Sequence, residues 1–268
     1  MDFSTIILKK EGPIATLILN RPERLNGLNE TVNRENLAAL ADIKQDESIR
    51  VLILTGKGRA FCAGGDFKGD KDSTFKGEEW PKPKDFIKRY RNLIQPFMMT
   101  LQSLDIPTIA MVNGPAYGAG FDYALACDMR IGSPNARFCA AWLRRGVTTA
   151  CGTTWYLPRL IGTGKAAEII FMAREVGAEE AERLGILNKL VSADRLEAET
   201  MEWADQLARS APVALKLSKM NLYRGLELDL PAALDLLATS QTIAMTTDDY
   251  KEATRAFREK REAVFTGN

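Results

Sequence analysis

The chain has 268 residues, of which 46% are hydrophobic and 26% charged, a composition typical of a globular protein with one or two domains. Its 36 Lys and Arg residues nearly balance 35 Asp and Glu residues, so there is no basic surplus for binding nucleic acid. The absence of His from the sequence excludes Ser-His-Asp and Cys-His nucleophile systems and zinc sites with His ligands. Any proton transfer must use carboxylates, Lys, Tyr, Cys or water.

The sequence contains no targeting or membrane-spanning pattern. Its first residues lack a charged stretch followed by an apolar one, and no run approaches the roughly 18 apolar residues of a membrane helix. The four cysteines, Cys62, Cys127, Cys139 and Cys151, lack C-x-x-C spacing and are predicted to be buried free thiols. We therefore expect a cytoplasmic protein without a membrane partner.

The first half of the chain alternates predicted strands and helices. Short apolar runs rich in strand-forming residues end at turn residues, and stretches with apolar residues at helical spacing lie between them. In chain order these are strand 14–19, helix 30–43, strand 51–54, strand 108–112, helix 121–126 and strand 128–131. The recurrence of strand–helix–strand units predicts an α/β fold.

The composition changes twice along the rest of the chain. Residues 69–85 are rich in Lys, Asp, Glu, Gly and Pro and predict a mobile loop. Residues 178–185 predict a short helix with acidic residues in its first turn and a glycine at its end. We divide the chain into an α/β body, residues 1–196, and a helical region, residues 197–268, which is too thin to bury its own core and is expected to pack on another subunit.

Two glycine-rich turns, at residues 60–67 and 113–122, each follow a predicted strand. Such turns leave backbone N–H groups free, and two N–H groups aimed at one oxygen form an oxyanion hole. For each turn alone, tight packing without function is the alternative interpretation. The run GTGKAA at 162–167 has the spacing of a dinucleotide site but lacks an acidic residue at a following strand end, and no P-loop pattern occurs.

Seven short segments form a recognisable series. They are LNRPERLN at 19–26, AFCAGGD at 60–66, IPTIAMVNG at 106–114, LACDMRI at 125–131, LPRLIG at 157–162, AEEAERLG at 178–185 and FREKR at 257–261. Together and in this order they resemble the crotonase superfamily, the enoyl-CoA hydratase/isomerase family. The resemblance implies a spiral of ββα units, a helical C-terminal region that forms trimers or hexamers, and an acyl-CoA substrate. It implies no metal and no cofactor other than the coenzyme A that is part of the substrate.

The resemblance also implies site residues. By position, the two oxyanion donors of the family are the backbone N–H groups of Gly65 and Ala119, and the first of two hydratase glutamates corresponds to Asp122. The residues implied to bind coenzyme A or substrate are Arg24, Leu25, Asn26, Ala63, Gly64, Asp66, Phe67, Gly118, Trp142, Phe257 and Lys260.

The acids of the family are only partly kept. Asp122 retains a carboxylate on a side chain shorter by a methylene, the second glutamate position is Trp142, and the aspartate of some family isomerases is Ala150. Trp142 is either a core residue or a wall for a flat, ring-bearing acyl group. Asp122 is either a catalytic acid or a carboxylate that only complements the dipole of its helix. Arg144 and Arg145 are either solvated charges or partners of an acidic acyl tail.

The sequence therefore favours hydration of an enoyl-CoA, because one carboxylate can take a proton from water and return it to the α-carbon. A branched or cyclic acyl group is compatible with this prediction. Three alternatives stay open: an enoyl-CoA isomerase, a hydrolase or decarboxylase of a β-keto or malonyl-type acyl-CoA, and a non-catalytic acyl-CoA binder. An Asp122 without access to the thioester pocket would favour the binder.

Overall fold

The computed structural model of the protein describes residues 2–66 and 82–268. Phe67 and most of the loop predicted at 69–85 lie outside the described residues. The end of that predicted loop is helical, because a helix begins at Pro83, whose fixed φ suits the first turn.

Within the described residues, nine strands and eleven helices follow one another. The strands are β1 (Ile6–Glu11), β2 (Ile14–Leu19), β3 (Val51–Gly56), β4 (Thr108–Val112), β5 (Pro115–Tyr117), β6 (Met129–Gly132), β7 (Arg137–Cys139), β8 (Glu175–Gly177) and β9 (Lys189–Leu190). The helices are α1 (Glu30–Gln45), α2 (Pro83–Arg89), α3 (Gln95–Gln102), α4 (Ala119–Ala126), α5 (Thr153–Ile161), α6 (Thr163–Phe171), α7 (Ala178–Leu184), α8 (Leu196–Ala208), α9 (Pro212–Gly225), α10 (Leu230–Thr246) and α11 (Asp248–Glu259). A π-helical turn, Tyr90–Ile94, joins α2 to α3. The six strands and helices predicted between residues 14 and 131 are confirmed.

The main sheet has the strand order β1-β2-β3-β4-β6-β9, and a smaller sheet has the order β5-β7-β8. In the main sheet only the β1–β2 pair is antiparallel. Parallel strands are covered on both faces, so their sequences are continuously apolar rather than alternating.

Every residue of β3 is buried, because different elements cover its two faces. Leu52 and Leu54 point into the cluster that contains Leu40 of α1, and Val51 and Ile53 point into the cluster that contains residues of α8. Each such side chain stabilises the fold by roughly 1.5–3 kcal/mol. The sheet therefore fixes the strand ends from which the glycine-rich turns leave.

The helices after residue 196 differ in how they meet the body. Helix α8 covers the second face of the main sheet through its buried Leu196, Ala204 and Ala208. Of the described residues of α9, none is buried, and α10 buries Ser240 alone. Helix α9 is anchored to the body by Asp128, which accepts hydrogen bonds from Lys219 at 2.7 Å and from Tyr223 at 2.6 Å. The division of the chain at residue 196 stays a prediction.

Among the described residues, no helix combines the length and apolar character needed to cross a bilayer. The four cysteines are buried and free, as predicted. Burial raises the pKa of the Cys62 and Cys127 thiols to about 12, so both are neutral at physiological pH.

Candidate active site

A cavity of about 170 Å³ lies beside the two glycine-rich turns. Its wall comes from α1, from the turn after β3, from α2 and the π-helical turn, from the start of α4, and from a segment before α5. The lining residues are Leu28, Asn29, Asn33, Ala63, Gly64, Gly65, Asp66, Phe86, Arg89, Tyr90, Ile94, Gly118, Ala119, Ala141, Trp142, Arg145, Val147, Thr148, Ala150 and Cys151.

The two turns are held together by backbone hydrogen bonds. The N–H of Cys62 donates to Pro115 O at 3.0 Å, and the N–H of Tyr117 donates to Cys62 O at 2.9 Å. On the other side of the first turn, the N–H of Leu28 donates to Gly64 O at 2.8 Å. The first turn is therefore fixed between α1 and β5.

Glycine is required where the turns approach each other. Gly64 has φ +86°, and a Cβ there would lie 2.6 Å from Tyr117 O and 3.2 Å from Ala119 N. A Cβ on Gly120 would lie 2.0 Å from Cys62 O. Both oxygen distances are too short for real contacts, so only glycine permits this packing.

The close approach of the two turns places two backbone N–H donors at one cavity. Gly65 and Ala119 both line it, and within the described residues neither N–H has a protein acceptor. Ala119 is the first residue of α4, whose free N–H groups and dipole favour negative charge. An arrangement of this kind can stabilise the oxygen of an enolate.

Asp122 lies in the first turn of α4 and is completely buried. Its Oδ1 accepts hydrogen bonds from the N–H and the hydroxyl of Thr153, both at 2.6 Å, and from the hydroxyl of Thr149 at 3.4 Å. Its Oδ2 is buried and has no partner. Burial raises the pKa of Asp122 to about 7, and the hydrogen bonds from Thr153 and Thr149 oppose that rise.

Asp122 is not among the described residues that line the cavity. Thr149 and Thr153 bind its carboxylate, whereas their neighbours Thr148, Ala150 and Cys151 line the cavity. The segment 148–153 therefore lies between Asp122 and the cavity, and Asp122 is behind the cavity wall.

Asp66 is the carboxylate that does line the cavity. Its side chain is almost completely buried and forms an ion pair with Arg21 at 3.1 Å. Arg21 also donates to Gly27 O at 2.6 Å. The charge of Asp66 is therefore compensated, and this carboxylate holds the turn in place rather than serving as an available base.

The other predicted site residues lie in different surroundings. Ala63, Gly64 and Gly118 line the cavity, and Trp142 covers Gly118, with its Nε1 3.5 Å from where a Cβ would be. Arg24 is exposed, Leu25 half-buried and Asn26 buried. The Asn26 amide donates to Ala60 O at 2.8 Å and accepts from the Arg21 N–H.

The predicted residues near the C-terminus do not reach this cavity within the described chain. Phe257 is 86% exposed, Lys260 ends α11 in a left-handed conformation, and neither lines the cavity. Their part in binding coenzyme A stays a prediction, as does that of Phe67, which lies outside the described residues.

Sequence reasoning missed the wall formed by α2 and the π-helical turn. Phe86, Tyr90 and Ile94 are spaced four residues apart and line the cavity together with Arg89. This spacing is a helical signal, but the stretch after the loop predicted at 69–85 was given no element and no site role. Asn29, which caps α1, and Asn33, in the first turn of that helix, also line the cavity and were not predicted as site residues.

The chain is similar to known proteins along nearly its whole length. The model of the enoyl-CoA hydratase/isomerase family matches residues 9–268. A short-chain-enoyl-CoA hydratase of Clostridium acetobutylicum is 37% identical over 264 residues, covering 98% of this chain and 97% of the relative. A 1,2-epoxyphenylacetyl-CoA isomerase of Escherichia coli is 34% identical, covering 100% of this chain and 99% of the relative.

Solved structures share the fold. The crystal structure of an enoyl-CoA hydratase from Bacillus anthracis matches with a TM-score of 0.91 at 31% identity, covering 99% of this chain and 100% of that chain. These matches confirm the crotonase-type α/β fold with a helical C-terminal region and the family resemblance of the sequence segments.

Proposed function

Because this chain belongs to the enoyl-CoA hydratase/isomerase family and is an enzyme of that type, we propose that it hydrates an enoyl-CoA thioester. The observation that carries the proposal is the pair of free N–H groups, on Gly65 and Ala119, at one cavity. A thioester oxygen that accepts both hydrogen bonds gains negative charge as water adds to the β-carbon. Each such donor is typically worth about 10²- to 10³-fold in rate.

Asp122 supplies the proton transfer in this proposal. A pKa of about 7 suits a group that accepts a proton from water and returns it to the α-carbon at neutral pH. Its unpartnered Oδ2 has lone pairs available for a water molecule. Because Asp122 lies behind the wall, we infer that a water beside Cys151 relays the proton, an arrangement that general acid–base catalysis allows.

A panel of linear, branched and cyclic enoyl-CoA esters tests the proposal. Hydration removes the conjugated thioester absorbance without releasing free coenzyme A. Isomerisation would change the position of the double bond without incorporating labelled oxygen from water, and hydrolysis would release the thiol. Calorimetry that shows no binding of acyl-CoA or coenzyme A at millimolar concentration would contradict the acyl-CoA function itself.

Asp122 is not among the described residues that line the cavity, a position that would favour a non-catalytic binder, but the family relatives are enzymes. The same position favours a second catalytic candidate, decarboxylation of a malonyl-type acyl-CoA. Breaking the bond to the carboxylate releases CO₂ and leaves its electron pair as the enolate, so no base has to reach the α-carbon. Water then protonates that carbon. Release of CO₂ from malonyl-CoA or methylmalonyl-CoA, with no loss of enoyl-CoA absorbance in the panel, would favour this candidate over hydration.

The cavity wall supports a bulky acyl group. The aromatic side chains of Phe86, Tyr90 and Trp142 all line the cavity. Flat rings pack favourably on such side chains. We propose that branched or cyclic enoyl groups are accepted beside linear ones, which the same panel measures as a ratio of kcat/KM values.

We infer that the protein forms trimers or hexamers through its C-terminal helices. On α9 and α10, Leu222 is 65%, Leu230 71% and Leu234 54% exposed. Apolar side chains exposed together mark a surface that binds another chain. Sedimentation should give a multiple of the 29.7 kDa chain mass, and Leu222→Glu combined with Leu234→Glu should lower that mass. A wild-type mass of one chain would contradict the inference.

A further inference from the structure

The cavity wall contains a guanidinium group that forms no hydrogen bond or ion pair with the described residues. Arg89, the last residue of α2, lines the cavity. Its Nε is buried and has no hydrogen-bond partner. In the part of the chain that the structure describes, no carboxylate forms an ion pair with Arg89.

Two buried arginines of this protein, Arg130 and Arg21, have partners for their donor groups, whereas the buried Nε of the partly exposed Arg89 has none. Arg130 is 2% exposed and donates to Ile186 O and to Cys127 O, both at 2.7 Å. Arg21 contacts Asp66 and Gly27. Because buried polar groups in folded proteins are normally hydrogen-bonded, the unpaired Nε of Arg89 indicates a group that a ligand satisfies.

The neighbour of Arg89 adds a second donor at the same wall. Tyr90 also lines the cavity, and within the described residues its hydroxyl makes no hydrogen bond. Phe86 and Ile94, one helical turn to either side of Tyr90, give this wall an apolar surface. A guanidinium and a phenol in an apolar wall offer donors to an anion, and the carboxylate of Asp66 in the same cavity is paired with Arg21.

We propose that Arg89 and Tyr90 bind a carboxylate carried by the far end of the acyl group, so that the preferred substrates are half-thioesters of dicarboxylic acids. This inference rests on the proposed acyl-CoA function. Arginine suits the role because its planar fork binds carboxylates through two parallel hydrogen bonds. The anion is assigned to the acyl group rather than to the phosphates of coenzyme A, because this wall lines the same cavity as the Gly65 and Ala119 donors that would hold the thioester.

Binding of saturated acyl-CoA analogues tests the inference without requiring turnover. Calorimetry would compare glutaryl-CoA and adipyl-CoA with their neutral ω-carboxamide counterparts, which have nearly the same shape, and with free coenzyme A. A charge-assisted hydrogen bond is worth roughly 10- to 100-fold in affinity. The wild-type protein should prefer one of the carboxylates by about that factor.

Variants assign the preference to its residues. Arg89→Gln should abolish the preference for the carboxylate and leave the affinity for free coenzyme A unchanged, and Tyr90→Phe should reduce it. Arg91→Gln is the matched control, because Arg91 is exposed and does not line the cavity. If Arg89→Gln lowers the melting temperature, Arg89→Lys retains the charge without the fork and should keep an intermediate preference.

The outcomes separate this inference from the proposed function. Equal affinity of the wild-type protein for carboxylates and carboxamides overturns the inference alone, because acyl-CoA binding is then still observed. An equal loss of free coenzyme A affinity in Arg89→Gln assigns Arg89 to a phosphate and also overturns it. Absence of binding by every analogue overturns the proposed function together with the inference.

Discussion

The two glycine-rich turns and the segment between Trp142 and Thr153 line one cavity, but they bring different chemistry to it. The turns contribute main-chain N–H groups, and their positions depend on backbone hydrogen bonds and on the space left by Gly64 and Gly120. The segment contributes side chains, and the resemblance of the sequence implies that Trp142 and Ala150 stand at positions where family members carry acids. The N–H donors of the turns are kept in any sequence that keeps the packing of the turns, whereas each replaced side chain of the segment can change the reaction.

Asp122→Asn changes the side-chain chemistry and leaves the turns intact. If Asp122 carries the proton, turnover should fall by roughly 10²- to 10⁴-fold. Ligand affinity should be retained, because the proposed donors are main-chain groups, and a loss in kcat alone indicates an interaction made in the transition state. Kinetics and calorimetry on the same variant measure both quantities.

The exposed Asp205 of α8 provides a control, and Asp205→Asn should leave turnover unchanged. Unchanged turnover in Asp122→Asn, with a stability loss of roughly 0.3–1 kcal/mol, would mean that Asp122 only complements the helix dipole.

Gly64→Ala changes the turns and leaves every side chain of the segment in place. The added Cβ would lie 2.6 Å from Tyr117 O and 3.2 Å from Ala119 N, so it must push the two turns apart. Turnover should fall by roughly 10²- to 10³-fold, as for the loss of an oxyanion donor. Kinetic assays and melting temperatures compare this variant with Gly162→Ala.

Gly162 has a similar positive φ, +76°, but nothing lies within 4 Å of the position that a Cβ would take there. Gly162→Ala should therefore lose stability through backbone strain and keep its turnover. If both variants lose turnover to the same extent, the close approach of the turns is not what matters for catalysis.

The pKa of Asp122 predicts how stability depends on pH. The native carboxyl has a pKa of about 7, against about 3.9 for an unfolded Asp. Between these values the native state holds a proton that the unfolded state releases, so the free energy of unfolding falls as the pH rises from about 4 to about 7. The fall amounts to roughly 4 kcal/mol.

Denaturant titrations across this range measure the effect, which should disappear in Asp122→Asn. No His titrates in this range, because the chain has none, and the stability that carboxyls with a lowered pKa, such as Asp46, contribute is lost below about pH 5. In the same range kcat/KM for hydration should rise through about pH 7 as Asp122 ionises. A pH dependence identical in wild type and Asp122→Asn would contradict the assignment.

The smallest expected effects come from the two threonines that bind Asp122. Both hydroxyls lower the pKa of Asp122, and that of Thr153 has the larger influence, since its bond is 2.6 Å long against 3.4 Å for Thr149. Thr153→Val should therefore raise the pH midpoint of kcat/KM more than Thr149→Val. The reverse order would mean that Asp122 binds these residues differently during turnover.

The sequence predicted the backbone features of this protein better than its side-chain chemistry. Strands such as β3 are continuous apolar runs, a pattern typical of a parallel sheet covered on both faces. The glycine-rich turns are recognisable in the sequence because the two turns approach each other too closely for any other residue. The burial of Asp122 depends on how residues 148–153 fold over it, and the unpaired state of Arg89 depends on which carboxylates come near. Neither property has a local pattern.

We propose that Gly65 and Ala119 bind the thioester oxygen, and the vibration of that carbonyl reports on these two hydrogen bonds. Infrared difference spectra of acyl-CoA with and without a ¹³C-labelled thioester carbonyl isolate its stretching band in the complex. Two hydrogen bonds polarise the carbonyl, so its frequency should fall below that of the ligand in water, and Gly64→Ala should restore part of the shift. A bound carbonyl with the frequency of the free ligand would contradict the oxyanion hole.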